Sequence, residues 1–158
     1  MIRAIILAFF VVVMFLPSAQ AEEFECIVGV SGTYITFHGS KELMPLLRYE
    51  ESGVMMSKSE NKFLDNATLH YEGIQQGISG PQRQGYAFGK IVDMDGDIII
   101  VRTVYTGPGH EAEFLQGTGK YKGITGSYKA QRVAAGKPAM PGTYQTCKEI
   151  KGTFELPK

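Results

Sequence analysis

Short β-forming segments, separated by glycine, proline or polar turn residues, recur along most of the chain. Ten of them are predicted as strands: residues 24–30, 34–37, 43–49, 53–56, 67–72, 86–92, 98–105, 111–116, 127–133 and 143–156. The first four show no helical period. The 19 glycines are scattered rather than periodic, which is typical of many tight turns and not of a collagen-like chain. The sequence therefore predicts an all-β fold.

Residues 1–21 carry the features of a cleavable secretion signal. A positive charge precedes an apolar run over residues 4–16, and Ala19 and Ala21 occupy the two positions that a signal peptidase reads. The run is too short to span a membrane stably, so we predict a soluble mature chain that begins near Glu22 and has no membrane span. The form of the signal is bacterial, which predicts a periplasmic or secreted protein.

Residues 22–158 have a length that suits one domain with a single core. The chain has 16 Lys and Arg against 16 Asp and Glu, so its formal net charge is zero. No basic field is available to gather phosphates, which argues against nucleic acid and acidic membranes as partners.

Cys26 and Cys147 lie near the two ends of the predicted domain. In an oxidising compartment two such thiols usually form a structural disulfide, and we predict one here. A redox or metal pair is the alternative, but C-x-x-C spacing is missing and no histidine clusters near either cysteine. A disulfide between the two ends requires the first and last strands to lie close together, as they do in closed barrels.

Residues 86–92 and 98–105 form the clearest predicted hairpin, because Asp95-Gly96 tolerates the positive φ of a tight turn. The acidic residues of this turn do not have the spacing of an EF-hand, so we predict a solvated turn and no metal site. The glycine-rich segment 117–126 matches neither the P-loop nor the dinucleotide fingerprint.

No catalytic constellation is visible in the sequence, and no cofactor is predicted. His38, His70 and His110 are far apart and lack metal-ligand spacing. The G-x-S-x-G motif of α/β-hydrolases is also missing. Glu111 and Glu113 share one face of a strand, where two solvated carboxylates are the favoured interpretation and an acid–base pair in an apolar cavity is the alternative.

A resemblance to known proteins rests on residues 95–102, Phe114 and segment 117–126. Asp-Gly-Asp leading into Ile-Ile-Ile-Val-Arg, followed by that phenylalanine and the glycine-rich segment, resembles small secreted bacterial proteins with an allene-oxide-cyclase-like barrel. Plant dirigent proteins are similar in the same glycine-rich segment. The resemblance implies an eight-stranded antiparallel barrel of calycin type with an apolar lumen. No catalytic position of these proteins can be matched residue by residue, so the resemblance implies no activity.

Five residues are candidates for contact with a ligand in such a lumen: Tyr71, Tyr86, Phe88, Arg102 and Tyr105. The four aromatic residues either line the lumen or belong to a plain core. Arg102 interrupts the most apolar strand. The favoured interpretation is a side chain that reaches solvent at the barrel rim, and the alternative is an anchor for the carboxylate of an apolar ligand.

Three functions are compatible with this sequence. The favoured one is binding of a small apolar molecule in a cavity that opens near residues 75–85, the best candidate for a mobile loop. The second is a cofactor-independent cyclase or isomerase, which requires a buried Glu, Asp or Tyr within reach of the cavity. The third is a structural or protein-interaction role, which requires a solidly packed lumen and an exposed apolar patch or unpaired strand edge.

Overall fold

A computed structural model describes residues 20–38, 44–77 and 81–157. They form a closed barrel in which each strand pairs antiparallel with the next along the chain, and β8 pairs with β1. The strands are β1 (Glu22–His38), β2 (Leu46–Ser57), β3 (Thr68–Gln76), β4 (Gln84–Val92), β5 (Ile98–Thr106), β6 (His110–Gly117), β7 (Thr125–Ala135) and β8 (Thr143–Glu155). A short 3₁₀ helix, Gly119–Tyr121, lies between β6 and β7. The predicted all-β, eight-stranded antiparallel barrel is confirmed.

Parts of two sequence predictions lie outside the described residues. The predicted signal peptide falls almost wholly on residues 1–19, and β1 begins at Glu22. Of the predicted mobile loop, residues 78–80 are not described, whereas Gln75 belongs to the end of β3. Within the described part of the chain, no helix has the length and apolar character needed to cross a membrane.

Two predicted chain reversals are wrong, because β1 and β2 each run straight through them. The turn predicted around Gly32 is the interior of β1, where Gly32 lies opposite Glu51 of β2. Residues 50–52, predicted as a break between two short strands, pair with both β1 and β3. A glycine inside a strand often marks a place where another group approaches the backbone closely, and Gly32 is such a place.

The β4–β5 hairpin is confirmed, and the carboxylate of Asp93 holds its turn. Asp93 Oδ1 accepts hydrogen bonds from the backbone N–H groups of Asp95 and Asp97, both at 2.9 Å. Gly96 adopts a φ of 89°, which favours glycine. Lys120 Nζ lies 2.5 Å from Asp93 Oδ2. The acidic residues thus close the turn and pair with a lysine, and the described residues contain no group of three or more potential metal ligands.

The first and last strands meet as predicted, but the predicted disulfide is wrong, since both cysteines are free. Cys26 lies opposite Ile150, whereas Cys147 lies opposite Gly29, three residues away along the same pair of strands. An offset of three residues puts the two side chains on opposite faces of the sheet and about 10 Å apart along the strands. A disulfide needs Cα atoms within about 7 Å. The hydrogen bonds between β1 and β8, and not a covalent link, close the barrel.

Aromatic rings fill one end of the barrel, which we call the base. Phe63, from the loop between β2 and β3, stacks on Phe154 with ring centroids 3.8 Å apart and meets Phe24 edge-on at 4.9 Å. Phe114 and Tyr121 complete the cluster, each 6.0 Å from Phe63. The opposite end, where β1 connects to β2 and β7 to β8, we call the mouth. Packed rings therefore close the base of the lumen, and any opening among the described residues lies towards the mouth.

Candidate functional site

A cavity of about 240 Å³ occupies the mouth half of the lumen. Below it, a void of only about 10 Å³ is left between the side chains. Gln75 and Arg83, from the segment where the sequence predicts an opening, are among the residues that line the cavity. The lumen is therefore half filled and half open, which is not the solid lumen that a purely structural role requires.

Strand alternation brings charged residues into this cavity. Along β2 every second side chain is buried, so Glu51 faces the lumen on the same side as Leu47 and Tyr49. On β8, Tyr144 lies opposite Gly32 and Lys148 lies opposite Val28, whose side chain is fully buried. Residues directly opposite each other in paired strands point to the same face, so Tyr144 and Lys148 also point inward.

Glu51 is the centre of the site. It is only 5% exposed, and both of its carboxylate oxygens have partners on β8. Lys148 Nζ lies 2.5 Å from Oε1, and the Tyr144 hydroxyl donates a hydrogen bond to Oε2 at 2.9 Å. A buried carboxylate is stable only when it is paired and hydrogen-bonded, and these two donors supply both conditions. The arrangement places a fixed negative oxygen and two proton donors at the wall of the cavity.

Gly32 makes room for the ring of Tyr144. A Cβ atom at this position would lie 2.5 Å from Tyr144 Cζ and 2.6 Å from the backbone oxygen of Glu50. The position of the Tyr144 hydroxyl beside Glu51 therefore depends on the absence of a side chain on the neighbouring strand.

Gly32→Ala is expected to lower the free energy of unfolding by about 1–3 kcal/mol, because the added methyl group overpacks the site and displaces the Tyr144 ring. Gly29→Ala is the matched control, since Gly29 lies in the same strand and a Cβ there meets nothing within 4 Å. The control should change stability by less than about 0.5 kcal/mol. Urea denaturation of both variants measures the difference, and equal effects would contradict this account of Gly32.

Hydrogen-bonded tyrosine pairs lie in and below the cavity. The hydroxyls of Tyr49 and Tyr105 share one hydrogen bond, and those of Tyr71 and Tyr128 share another at 2.5 Å. Burial raises the pKa of all four tyrosines and of Tyr144 above the usual value for a phenol. They are therefore neutral at physiological pH and act as hydrogen-bond donors and acceptors without charge.

These raised pKa values predict the response of the protein to alkali. A group whose pKa is higher in the folded state contributes stability below its unfolded pKa, about 10 for tyrosine, and that stability is lost as the pH rises further. We therefore expect the barrel to unfold cooperatively above about pH 10. Tyrosinate absorbance and far-UV circular dichroism, followed in one titration, should change together. Ionisation of all eight tyrosines with the β-sheet signal intact would be the opposite result.

Arg83 is held over the lumen by two neutral groups. Its Nε and Nη2 atoms donate hydrogen bonds to Gln75 Oε1 at 3.0 and 2.8 Å. Its guanidinium carbon lies 3.8 Å from the centre of the Tyr105 ring. His110, half-buried at the start of β6, packs against the same ring with centroids 5.1 Å apart. Burial holds the pKa of His110 well below its usual value, and the charges of Lys148 and Arg83 lower it further, so the imidazole is neutral.

The sequence matches no protein-family model and no curated protein. The fold, however, matches solved structures. The pterocarpan synthase dirigent protein PsPTS1 aligns with a TM-score of 0.58 at 11% identity, over 88% of this chain and 97% of that chain. The pterocarpan synthase dirigent protein GePTS1 aligns with a TM-score of 0.53 at 10% identity, over 89% and 88%. The protein has a dirigent-like fold. The resemblance read from residues 95–126 is thereby confirmed at the level of the barrel.

The dirigent-like barrel places the five predicted ligand residues on both sides of its wall. Tyr71 and Tyr105 face inward and border the small void beneath the cavity. Tyr86, Phe88 and Arg102 lie on the exterior and are about half exposed. The lumen or core positions predicted for the two aromatic residues are therefore wrong, whereas Arg102 reaches solvent, which is the interpretation that the sequence favours.

The alternation of side chains along the strands explains why these residues lie on the exterior. Arg102 alternates with inward-facing Tyr105 along β5, so its guanidinium points outward and forms a salt bridge with Glu113 at 2.7 Å. On β4, the inward face carries the small residue Gly89, because the ring of Tyr71 fills the space that a side chain there would need. Glu111 is also exterior and pairs with Lys129 at 3.1 Å. The favoured interpretation of Glu111 and Glu113 as solvated carboxylates is confirmed.

The histidines differ in environment, although no feature of the sequence distinguishes them. His70 is on the outer face, where Nδ1 lies 2.9 Å from Ser52 Oγ. His110 lines the cavity, a role that sequence analysis missed. The side chain of His38 is not among the described parts of the structure.

Proposed function

We propose that this protein binds a small molecule in the open half of its barrel lumen. What carries the proposal is the cavity of about 240 Å³ at the mouth of a barrel whose base is packed. Its wall combines apolar side chains with a few fixed polar groups, the combination that is usual in ligand sites. Tyr71 and Tyr105 form the floor beneath such a ligand, and Tyr105 contacts both Tyr49 and Arg83 of the cavity wall.

Native mass spectrometry of the protein purified from its own cells tests this proposal. We expect an excess mass that is released on denaturation. Ala130→Leu adds volume to the cavity wall, since Ala130 is 1% exposed and lines the cavity, and it should abolish the excess mass. Lys129→Leu is the control, because Lys129 is the next residue of β7 and points outward. If folded protein carries no ligand, or if both variants retain it, lumen binding is overturned.

A second candidate function is a cofactor-independent cyclase or isomerase. Its support is Glu51, a carboxylate at the cavity wall with the Tyr144 hydroxyl and Lys148 ammonium beside it. A carboxylate that takes a proton from one atom of a substrate and returns it to another changes the bonding of the substrate without any net change in its atoms. Two barrels of similar fold are named pterocarpan synthases, which is compatible with chemistry in such a lumen.

Chemistry and simple binding are separated by following the compound found by mass spectrometry. If the protein is an enzyme, liquid chromatography should show conversion by the wild type and none by Glu51→Gln, with binding retained. Unchanged compound after prolonged incubation with wild-type protein would leave binding alone as the function.

We also infer that the protein is exported to the periplasm or beyond. The support is the signal-like sequence of residues 1–21, together with the start of β1 at Glu22, so that cleavage after Ala21 removes no strand. The intact mass of protein from the periplasmic fraction should correspond to a chain that starts at Glu22. Full-length protein confined to the cytoplasm would exclude export.

A further inference from the structure

The charged side chains that line the cavity are unequal in sign. Three are cationic and one is anionic: Arg83, Arg132, Lys148 and Glu51. Lys148 and Glu51 neutralise each other at 2.5 Å. Within residues 20–38, 44–77 and 81–157, neither Arg83 nor Arg132 forms a salt bridge with a carboxylate. The cavity therefore has an excess of positive charge that no described side chain offsets.

Arg83 is oriented as a receptor for an anion. A guanidinium has five N–H donors, and Gln75 accepts only from its Nε and one terminal nitrogen. Gln75 is neutral, so Arg83 keeps its full positive charge. The Tyr105 ring lies against one face of the Arg83 guanidinium and restricts its rotation. A planar, fixed guanidinium matches the two oxygens of a carboxylate.

His110 lies in the same cavity wall as Arg83 and is neutral. Burial is the main cause of its lowered pKa, and the nearby charges of Lys148 and Arg83 lower that pKa further. The neutral imidazole also retains an N–H that can donate to an anion.

Apolar and aromatic side chains form much of the remaining wall, beside a few polar ones, and the space is small. Leu47 and Ala130 are buried in it, and the rings of Tyr34 and Tyr144 stack with centroids 6.5 Å apart at the mouth. A cavity of about 240 Å³ has room for about eight water molecules at ~30 Å³ each, which is below the usual size of a site for a drug-sized ligand.

We propose that the lumen is selective for small monocarboxylates, with the carboxylate group bound by Arg83 and the apolar body bound against Leu47 and Ala130. This inference rests on the proposed function, since it names the chemical class of the lumen ligand. The carboxylate anchor is then an arginine that faces the cavity and not Arg102, for which the sequence left an anchor open only as the alternative to a solvent-reaching side chain.

Three probes of nearly equal shape test the charge selectivity: 3-phenylpropanoate, its neutral amide and the corresponding amine, 3-phenylpropylammonium. Titration calorimetry gives the affinities, and ¹⁵N NMR shifts of Gln75, His110 and Ala130 show whether a probe enters the lumen. The carboxylate should bind about tenfold or more tightly than the amide, because hydrogen bonds to charged groups are the stronger ones. The amine should bind most weakly.

Arg83→Gln should remove the preference for the carboxylate over the amide while the amide still binds. Arg102→Gln, which removes an exterior arginine that is half exposed, should preserve the preference. Circular dichroism checks that both variants are folded, and Arg83→Lys should retain part of the preference if Arg83→Gln does not fold.

Equal binding of carboxylate and amide by wild type would overturn the charge selectivity and leave lumen binding standing. If none of the three probes shifts the lumen signals, both the selectivity and lumen binding of molecules of this size are overturned.

Discussion

Phe63→Ala is expected to lower the free energy of unfolding by about 3–5 kcal/mol, a large part of the ~5–15 kcal/mol that stabilises a typical domain. Phe63 is 7% exposed and contacts four other rings at the base. Truncation removes the buried ring of Phe63 and leaves a cavity between rings from different parts of the barrel. Those rings come from both ends of the chain, so the loss falls on the closure of the whole barrel.

The loop that carries Phe63 increases the effect. Lys62, Leu64 and Asn66 have φ values of 53°, 59° and 58°, in the left-handed region that non-glycine residues avoid. Such a backbone persists only where surrounding contacts hold it, and here the holding contacts include burial of Phe63 and the hydrogen bond from Asn66 N–H to Met55 O at 3.0 Å. We therefore expect faster amide hydrogen exchange in residues 59–66 of the variant.

Phe88→Ala is the matched control, because it removes the same side chain from a strand position that is 51% exposed on the outside of the barrel. It should cost less than about 1 kcal/mol. Chemical denaturation of the two variants gives both values. Similar losses from Phe63 and Phe88 would mean that the base cluster does not hold the barrel closed.

The barrel itself was predictable from the sequence because turns and alternation are local signals. The Asp95-Gly96 hairpin is fixed by residues adjacent in the chain, and so are the strands on either side of it. The pairing of β1 with β8 was also predicted, but through a disulfide that does not exist. Residue spacing along the chain does not reveal strand register, and a register offset of three residues is what separates the two cysteines.

The inward positions of Glu51 and Lys148 could have been predicted from the sequence. Had β2 been recognised as continuous, its alternation would have put Glu51 on the same face as Leu47 and Tyr49, which marks a charged residue facing the core. Lys148 is likewise two residues from buried Ile150. Gly53 obscured the pattern in β2, because a glycine that a neighbouring strand approaches closely looks the same in sequence as a glycine in a turn.

The rest of the site depends on contacts between distant segments. Arg83 lies outside any strand, and its orientation comes from Gln75 and Tyr105. Nor does a sequence show which face of a strand with two apolar faces is inside. β5 is such a strand, since Ile100 and Val104 alternate with Ile99 and Val101, and this is why the sequence leaves a lumen position open for Arg102.

Glu51→Gln is expected to lower the free energy of unfolding by about 3 kcal/mol, although the change in shape is minimal. The side chains of Glu51 and Lys148 are only 6% and 13% exposed, so removal of one charge leaves the other without a partner in a poorly solvated place. Lys148→Met should be similarly costly, because it leaves the carboxylate with the Tyr144 hydroxyl as its one remaining partner in the site.

The double variant Glu51→Gln/Lys148→Met tests whether an unpaired buried charge causes the loss of stability in the single variants. It should recover at least half of the summed losses, since no buried charge is then left uncompensated. Glu72→Gln is the control for an exposed pair: Glu72 and Arg48 form a salt bridge at 3.0 Å but are about half exposed, so the expected loss is below about 1 kcal/mol. If the double variant shows the full sum of the single losses, the two residues act independently and the cavity wall does not depend on their ion pair. Recovery would instead mean that Glu51 and Lys148 are held in the lumen as a neutral pair, so that among the described cavity residues the excess positive charge belongs to Arg83 and Arg132.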